Sequence, residues 1–370
     1  MRVGAPKEIK VREYRVGLTP ASVRELVVHG HEVLIETNAG VGAGYTDAIY
    51  ERAGARIVPD AKAVFDGSDM VVKVKEPLAP EIAMLSEGQT LFTYLHLAAD
   101  KVQTEGLMAS GCTAIAYETV TDRDGGLPLL MPMSEVAGRM AVQVGAHCLE
   151  KEQGGRGMLL GGIPGVAVAD VVVIGGGTVG ANAARMAMGL EARVTVLDKS
   201  IPRLRDLELQ YGTTLNTIYS TVGALEQYLS RADLVICAVL APGAAAPKIV
   251  TREMVKAMQP GSVIVDVAID QGGACETSKP TTHDDPTYVV DDVIHYCVTN
   301  MPGAVPRTST QGLSNATLPF VLALADKGWQ RACKDDPHLL EGLNVHKGEV
   351  TYAAVARDLE LPYRPAADVL

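Results

Sequence analysis

Residues 175–180 read GGGTVG; the apolar run VVVI precedes them directly and the helix-forming run ANAARMAMGL follows. The spacing is G-x-G-x-x-G, and each glycine has a mechanical reason to be there. Gly175 permits a tight turn, Gly177 lets the backbone approach a phosphate, and Gly180 lets a helix lie close on a strand. Thr178 and Val179 complete the turn. A pyrophosphate would meet the start of that helix, where unpaired N–H groups and the positive dipole end favour negative charge. Alone the motif is weak, because glycine turns between strands and helices are common. Context strengthens it. The next apolar run, RVTVLD, ends at Asp198, about 20 residues beyond the turn, where a carboxylate can accept hydrogen bonds from an adenosine ribose. The same carboxylate would repel a 2′-phosphate, so the pattern points to NAD rather than NADP. The plainer alternative makes Asp198 a helix N-cap; turn, strand and acid in register weigh against it.

A second group of residues could move protons or hold anions. In open α/β sheets, ligands sit beyond the carboxyl ends of strands. The run DMVVKVK ends at Lys75 and TLFTYL ends at His96, so both are expected along one edge of one sheet. A single histidine in an apolar run is often a satisfied core residue, but its strand-end place favours a proton carrier. Lys75 stands about even between a functional role and a solvated strand face shared with Lys73. Arg15, in EYRVGLTP, would on its own be a surface charge. GSVIVDVA runs into Asp270, which also falls past a strand end, near where a nicotinamide would lie if the adenosine sits by Asp198. Asp266 is mid-strand and reads as structural, needing hydrogen-bond partners if buried. His29 and His31 read as surface, no metal-ligand spacing appears, and no G-x-S-x-G elbow is present.

These residues need elements to position them. A chain of 370 residues is long for one hydrophobic core, so two domains are expected. Runs RVGAP, HEVLIET, DMVVKVK, TLFTYLH and TAIAYET alternate with helical stretches and predict a parallel sheet. A helix capped by Ser134 is predicted over residues 134–153. Beyond a glycine-rich linker, DVVVIG, RVTVLD, TTLNTIYS, ADLVICAV, GSVIVDVA and IHYCVTN are six further runs at crossover spacing, which suit a doubly wound nucleotide fold. The segment after Gly303, with helical patterns over residues 314–327 and 349–359, is too small for its own core and is expected to return to the first domain. The fold class is therefore α/β, with two Rossmann-like doubly wound parallel-sheet domains flanking a cleft. Residues 1–133 with 304–370 form the substrate domain and 134–303 the NAD-binding domain.

A formal charge of −11 without a dense basic cluster argues against a nucleic-acid partner. Six scattered cysteines without C-x-x-C spacing, and an N-terminal run lacking an apolar signal core, predict reduced thiols and a cytoplasmic location. The most apolar region, near residues 158–190, is broken by Pro164, Asp170 and Arg185, so no membrane span is expected.

The chain resembles the alanine dehydrogenase family and, more distantly, the nucleotide-binding part of nicotinamide transhydrogenase. The likeness spans nearly the whole chain through GAPKEIKVREYRVGLTPASV (4–23), VKVKEP (72–77), LHLAAD (95–100), LPLLMPMSEVAGRMA (127–141), LLGGIPGV (159–166), VDVAIDQGG (265–273), THDDPTY (282–288) and NMPGAVPRTST (300–310). Arg12 and Gly17 depart from the more usual Asn and Ala, which bears only on the shape of that loop. The resemblance implies NAD-dependent, reversible deamination of L-alanine to pyruvate and ammonium. It implies Arg15 and Lys75 for the substrate carboxylate and carbonyl, and His96 with Asp270 as the acid/base pair. For the cofactor it implies Ser134, the turn at Thr178 and Val179, Asp198, Arg203, Ser220, Val239, Leu240, the stretch from Val267 to Asp270, Asn300 and Met301. It also implies a homohexamer. Because His96 and Asp270 fall on different predicted domains, domain closure is expected, hinged near Met133-Ser134 and residues 300–304. Two rival readings are a non-catalytic NAD-binding module and an enzyme for a longer amino acid such as saccharopine.

Overall fold

The computed structural model describes residues 1–239 and 246–370. In chain order the strands are β1 (Arg2–Ala5), β2 (Glu32–Glu36), β3 (Arg56–Val58), β4 (Met70–Val72), β5 (Thr90–Thr93), β6 (Thr113–Ala116), β7 (Asp170–Ile174), β8 (Arg193–Asp198), β9 (Leu215–Tyr219), β10 (Leu234–Cys237), β11 (Val263–Asp266), β12 (Thr287–Val290), β13 (Val293–Tyr296), β14 (Leu343–His346) and β15 (Glu349–Val350). The chain forms two compact units, Met1–Met133 with Val305–Leu370, and Ser134–Ala304.

The first unit holds one sheet in the order β15-β14-β6-β5-β4-β1-β2-β3. Strands β1 to β6 are parallel, while β14 runs antiparallel to β6 and β15 antiparallel to β14. Reading outward from β1 gives β2-β3 one way and β4-β5-β6 the other, the doubly wound order. Parallel strands are covered on both faces and so read as continuous apolar runs. Val71, Leu91, Phe92, Ala114 and Ile115 are fully buried, and each large aliphatic or aromatic side chain among them contributes roughly 1.5–3 kcal/mol by leaving water. The returning C-terminal segment brings β14 and β15 as well as the long helix Pro306–Lys327, so it is more than the helical segment the sequence suggests. The antiparallel edge is short, which hid it from a search for alternating runs.

The second unit has the sheet order β12-β13-β11-β10-β7-β8-β9. All neighbours are parallel except β12 with β13. Its six parallel strands answer to the six predicted runs, while β12 is an added edge. The helix Thr178–Gly189 packs on this sheet through Ala183, Ala184 and Ala187, all fully buried. Small side chains let that helix approach the strands closely.

Several local boundaries differ from the sequence reading. The helix predicted over residues 134–153 is Met131–Cys148, so Ser134 lies in its first turn rather than at its cap. Pro132 explains the earlier start, since its fixed φ and missing N–H suit the first turn of a helix. Strand β4 stops at Val72 and β5 at Thr93, so Lys75 and His96 each stand three residues past their strands. Among the described residues, no helix is long and apolar enough to cross a membrane.

Candidate functional site

In the first unit the predicted residues stand on loops just beyond the carboxyl edge of the sheet. Arg15 is buried and paired with Glu13: Nε donates to Oε1 at 2.7 Å and Nη2 to Oε2 at 2.6 Å, while Nη1 donates to Met133 Sδ at 3.0 Å. Burial pulls the guanidinium down, and the Glu13 bonds and charge more than offset it, leaving Arg15 above its ordinary value. The surface charge that Arg15 would be on its own is thereby corrected: a fully desolvated cation survives only beside a carboxylate.

Lys75 is half-buried on the turn after β4. Its carbonyl accepts from Thr93 Oγ1 at 2.9 Å, which ties that turn to the end of β5. Burial raises the neighbouring Glu76, and hydrogen bonding to Lys10 with the charges of Lys75 and Lys10 reverses this, so the carboxylate is held below its ordinary value. Lys73, expected to share a solvated face with Lys75, is instead fully buried. Its ammonium donates to Glu8 at 2.9 Å and Glu81 at 2.6 Å. Glu8 also accepts the Val74 N–H at 2.7 Å, so the triad staples the first loop of the chain to the Lys75 turn. The sequence signal for this triad was weak, because its carboxylates are far apart in the chain.

His96 is not a core histidine, for its side chain is 49% exposed. It adopts φ 53° and ψ 36°, the left-handed region that residues other than glycine rarely enter. The Leu95 and His96 N–H groups both donate to the Glu118 carboxylate, which lies 3.9 Å from His96 Nδ1. The ring stacks on Tyr94 with centroids 5.9 Å apart, and burial raises the Tyr94 phenol, with Arg15 close enough to pull it back. Arg15, Tyr94 and His96 are thus neighbours, and the Thr93 bond brings the Lys75 turn alongside. Sequence reading missed Glu13, Tyr94 and Glu118. Glu118 lies just past β6, so the strand-end rule could have found it.

In the second unit the glycine turn has the geometry its spacing predicts. Gly175 has φ +100°, and a Cβ there would come within 2.7 Å of the Ala238 carbonyl oxygen. A Cβ on Gly180 would lie 1.8 Å from the Gly175 carbonyl oxygen, whereas one on Gly177 would meet nothing within 4 Å. Gly175 and Gly180 are therefore required by the fold, while Gly177 borders open space at the start of the helix Thr178–Gly189. That opening fits a pyrophosphate approaching main-chain N–H groups.

Asp198 closes the turn from the side. Its Oδ2 accepts the Gly176 N–H at 2.6 Å and its Oδ1 the Ser200 N–H at 2.7 Å. The N-cap of the following helix, Ile201–Tyr211, is Ser200, not Asp198. Arg203 Nε donates to the Gly176 carbonyl at 2.5 Å, and the Ser220 N–H donates to the Asp198 carbonyl at 2.9 Å. Val239 abuts Gly175; Leu240 lies outside the described residues. The helix carrying Ser134 presses on the same turn, for a Cβ on Gly138 would fall 2.2 Å from the Val179 carbonyl oxygen.

Asp270 is exposed on the turn Val267–Gln271, which also carries the half-buried Val267. Asp266 organises that turn: fully buried, it accepts from the N–H groups of Ala268, Ala274 and Cys275 and from Ser278 Oγ. These partners are the ones a buried carboxylate requires. Asn300, with φ +60°, precedes the buried Met301, and its carbonyl accepts from His283 Nε2 at 3.3 Å. Of the two histidines read as surface, His31 has a side chain only 8% exposed, and both pair with Asp326. Among the described residues no group of His, Cys, Asp or Glu could hold a metal ion.

Two doubly wound α/β units, one carrying a dinucleotide-type glycine turn and the other a rim of charged side chains, define the class. Residues 4–137 match the family description "Alanine dehydrogenase/PNT, N-terminal domain" and residues 141–353 "Alanine dehydrogenase/PNT, C-terminal domain". The chain belongs to the alanine dehydrogenase/PNT family. It is 63% identical to the alanine dehydrogenase of Halomonas elongata and 55% identical to that of Mycobacterium tuberculosis H37Rv, in each case over 370 residues covering all of both chains. A solved L-alanine dehydrogenase structure superposes with a TM-score of 0.95 at 53% identity, covering 97% of this chain and 99% of that one. Such full-length identity supports an enzyme with alanine dehydrogenase activity. A transhydrogenase structure from Sinorhizobium meliloti, at TM-score 0.84 and 24% identity over 96% of this chain and 100% of its own, shares the fold.

Proposed function

We propose that this enzyme oxidises L-alanine reversibly to pyruvate and ammonium with NAD, in the cytoplasm, through an acid/base pair of His96 and Asp270. The open approach at Gly177 between two fold-required glycines carries the dinucleotide reading, and the Asp198 carboxylate supports NAD over NADP. When bound, the nicotinamide supplies the acceptor for the hydride leaving Cα. The glycine turn would hold the pyrophosphate, with Ser134, Arg203, Ser220, Val239, Leu240, Val267, Asn300 and Met301 as further contacts.

The protein groups have separable roles. Arg15 holds the substrate carboxylate. Lys75 places a compact charge at the carbonyl oxygen. His96, exposed and stacked on Tyr94, takes the proton released from the amine or from the attacking water and returns it in the reverse direction. Asp270 orients that water and offsets positive charge on the iminium carbon and nitrogen. Fixing Cα in this frame can contribute roughly 7–11 kcal/mol of barrier lowering.

The test is spectrophotometric. The protein mixed with NAD and L-alanine should generate NADH absorbance, and pyruvate with ammonium and NADH should remove it. NADH binding without alanine-dependent reduction would instead favour a non-catalytic binding module.

A further inference from the structure

We propose that Glu118 is a positioning residue for His96, holding the imidazole in its working orientation; this rests on the reading that His96 carries the proton. The main chain at His96 is in the left-handed region at φ 53°, a conformation that persists in a non-glycine residue only where its surroundings over-determine it. Here one carboxylate holds the N–H side. Glu118 Oε1 accepts from both the Leu95 N–H, at 3.0 Å, and the His96 N–H, at 2.5 Å, and Oε2 accepts the Leu95 N–H at 3.1 Å. The Leu95 carbonyl is held separately by Gln103 Nε2 at 2.8 Å. The peptide before His96 is thus fixed on both sides.

The side chain is restrained by the same arrangement. Glu118 Oε1 stands 3.9 Å from Nδ1, beyond hydrogen-bond reach but close enough to act on the ring as a charge. The ring has the Tyr94 ring stacked against it at an interplanar angle of 9°. Tyr94 is in turn anchored, its hydroxyl donating to the Leu129 carbonyl at 2.5 Å and its ring set edge-on to Tyr117 at 5.0 Å. Tyr117 and Glu118 are consecutive on the short turn Tyr117–Thr119, directly after β6. One turn therefore supplies both the support for the stacked ring and the carboxylate beside Nδ1. A negative charge beside Nδ1 favours the tautomer that carries its proton there and leaves Nε2 to receive one.

A double-mutant cycle tests this. Glu118→Gln keeps one acceptor oxygen and Glu118→Ala keeps none, so kcat should fall in that order, by about 10- to 100-fold, part of the 10²–10⁴ that a general acid/base contributes. The dissociation constant for NADH and the KM for alanine should stay within about twofold, a split that a merely structural role would not produce. In a His96→Ala background, adding Glu118→Gln should cost nothing further, because residues acting as a unit are not additive. The ¹⁵N–¹H spectrum of the His96 ring should show the proton redistributed between Nδ1 and Nε2 in Glu118→Gln. Parent-like kcat in a folded Glu118→Gln, or losses that multiply across the cycle, would overturn the proposal while leaving the His96 reading intact. Parent-like turnover in His96→Ala alone would overturn both.

Discussion

The two sheets share one strand order about their first strands, β3-β2-β1-β4-β5-β6 in one unit and β9-β8-β7-β10-β11-β13 in the other, yet their carboxyl edges are built from opposite materials. The first edge is made of ionised side chains held in buried pairs, Arg15 with Glu13 and Lys73 with Glu8 and Glu81. The second is made of main chain, a glycine turn whose N–H groups are arranged by Asp198 and a loop arranged by Asp266. The same topology thus serves two purposes. On the proposed function, paired buried charges would keep a few side chains rigid against a small carboxylate substrate, whereas bare backbone would admit a large phosphate-bearing ligand at close range.

The contrast breaks first where a buried charge loses its partner. Lys73→Met leaves Glu8 and Glu81 desolvated without a cation and should cost about 3–5 kcal/mol in urea unfolding of the first unit; a change below about 1 kcal/mol would show that the triad is not under electrostatic load. Burial pulls the Lys73 ammonium down, but Glu8 and Glu81 more than offset this and hold it above its ordinary value of 10.5. A raised folded value means the contribution is whole below the unfolded value and is lost as pH climbs through the folded one. The parent should therefore lose stability above pH 10.5, and Lys73→Met should lack that component. Glu8 is also raised, by burial first, with Lys73 pulling back, so the variant should take up a proton there at a higher pH than the parent does.

In the second unit the expected effects separate by position. Gly180→Ala forces a Cβ to within 1.8 Å of a carbonyl oxygen and should lower both melting temperature and NADH affinity. Gly177→Ala meets no protein atom, so it should melt like the parent yet bind NADH at least about tenfold more weakly, or roughly 1.4 kcal/mol. Equal affinity in Gly177→Ala would remove the pyrophosphate from that opening. On a similar scale, Asp198→Ala should raise the use of NADP relative to NAD by about 5- to 30-fold, the size of a 1–2 kcal/mol repulsion at a partly exposed site. An unchanged ratio in steady-state assays would assign Asp198 to turn geometry alone.

Much of the second unit was legible in the sequence. Its strands are β-branched, largely apolar runs such as VVVI and RVTVLD, and its motif depends on local backbone geometry that glycine spacing records directly. The first unit was less legible for a physical reason. Lys73 looks solvated beside Lys75 because alternation is a local signal, and its partners Glu8 and Glu81 come from other segments that only folding brings near. Arg15 has its partner Glu13 two residues away, but nothing local says that both are buried. The ends of β4 and β5 were overrun because apolar residues continue past the last ladder bond: Val74 and Leu95 are fully buried on loops. The antiparallel edge β14-β15 is too short for periodicity to register.

On the proposed function, the imidazole at the rim of the first sheet moves the proton while the backbone turn of the second holds the dinucleotide. Measuring His96→Ala by NADH fluorescence titration alongside alanine-dependent turnover tests it most directly. Turnover should fall by about 10²–10⁴ with NADH affinity unchanged. Near-parental turnover, or a loss of rate matched by an equal loss of NADH affinity, would contradict it.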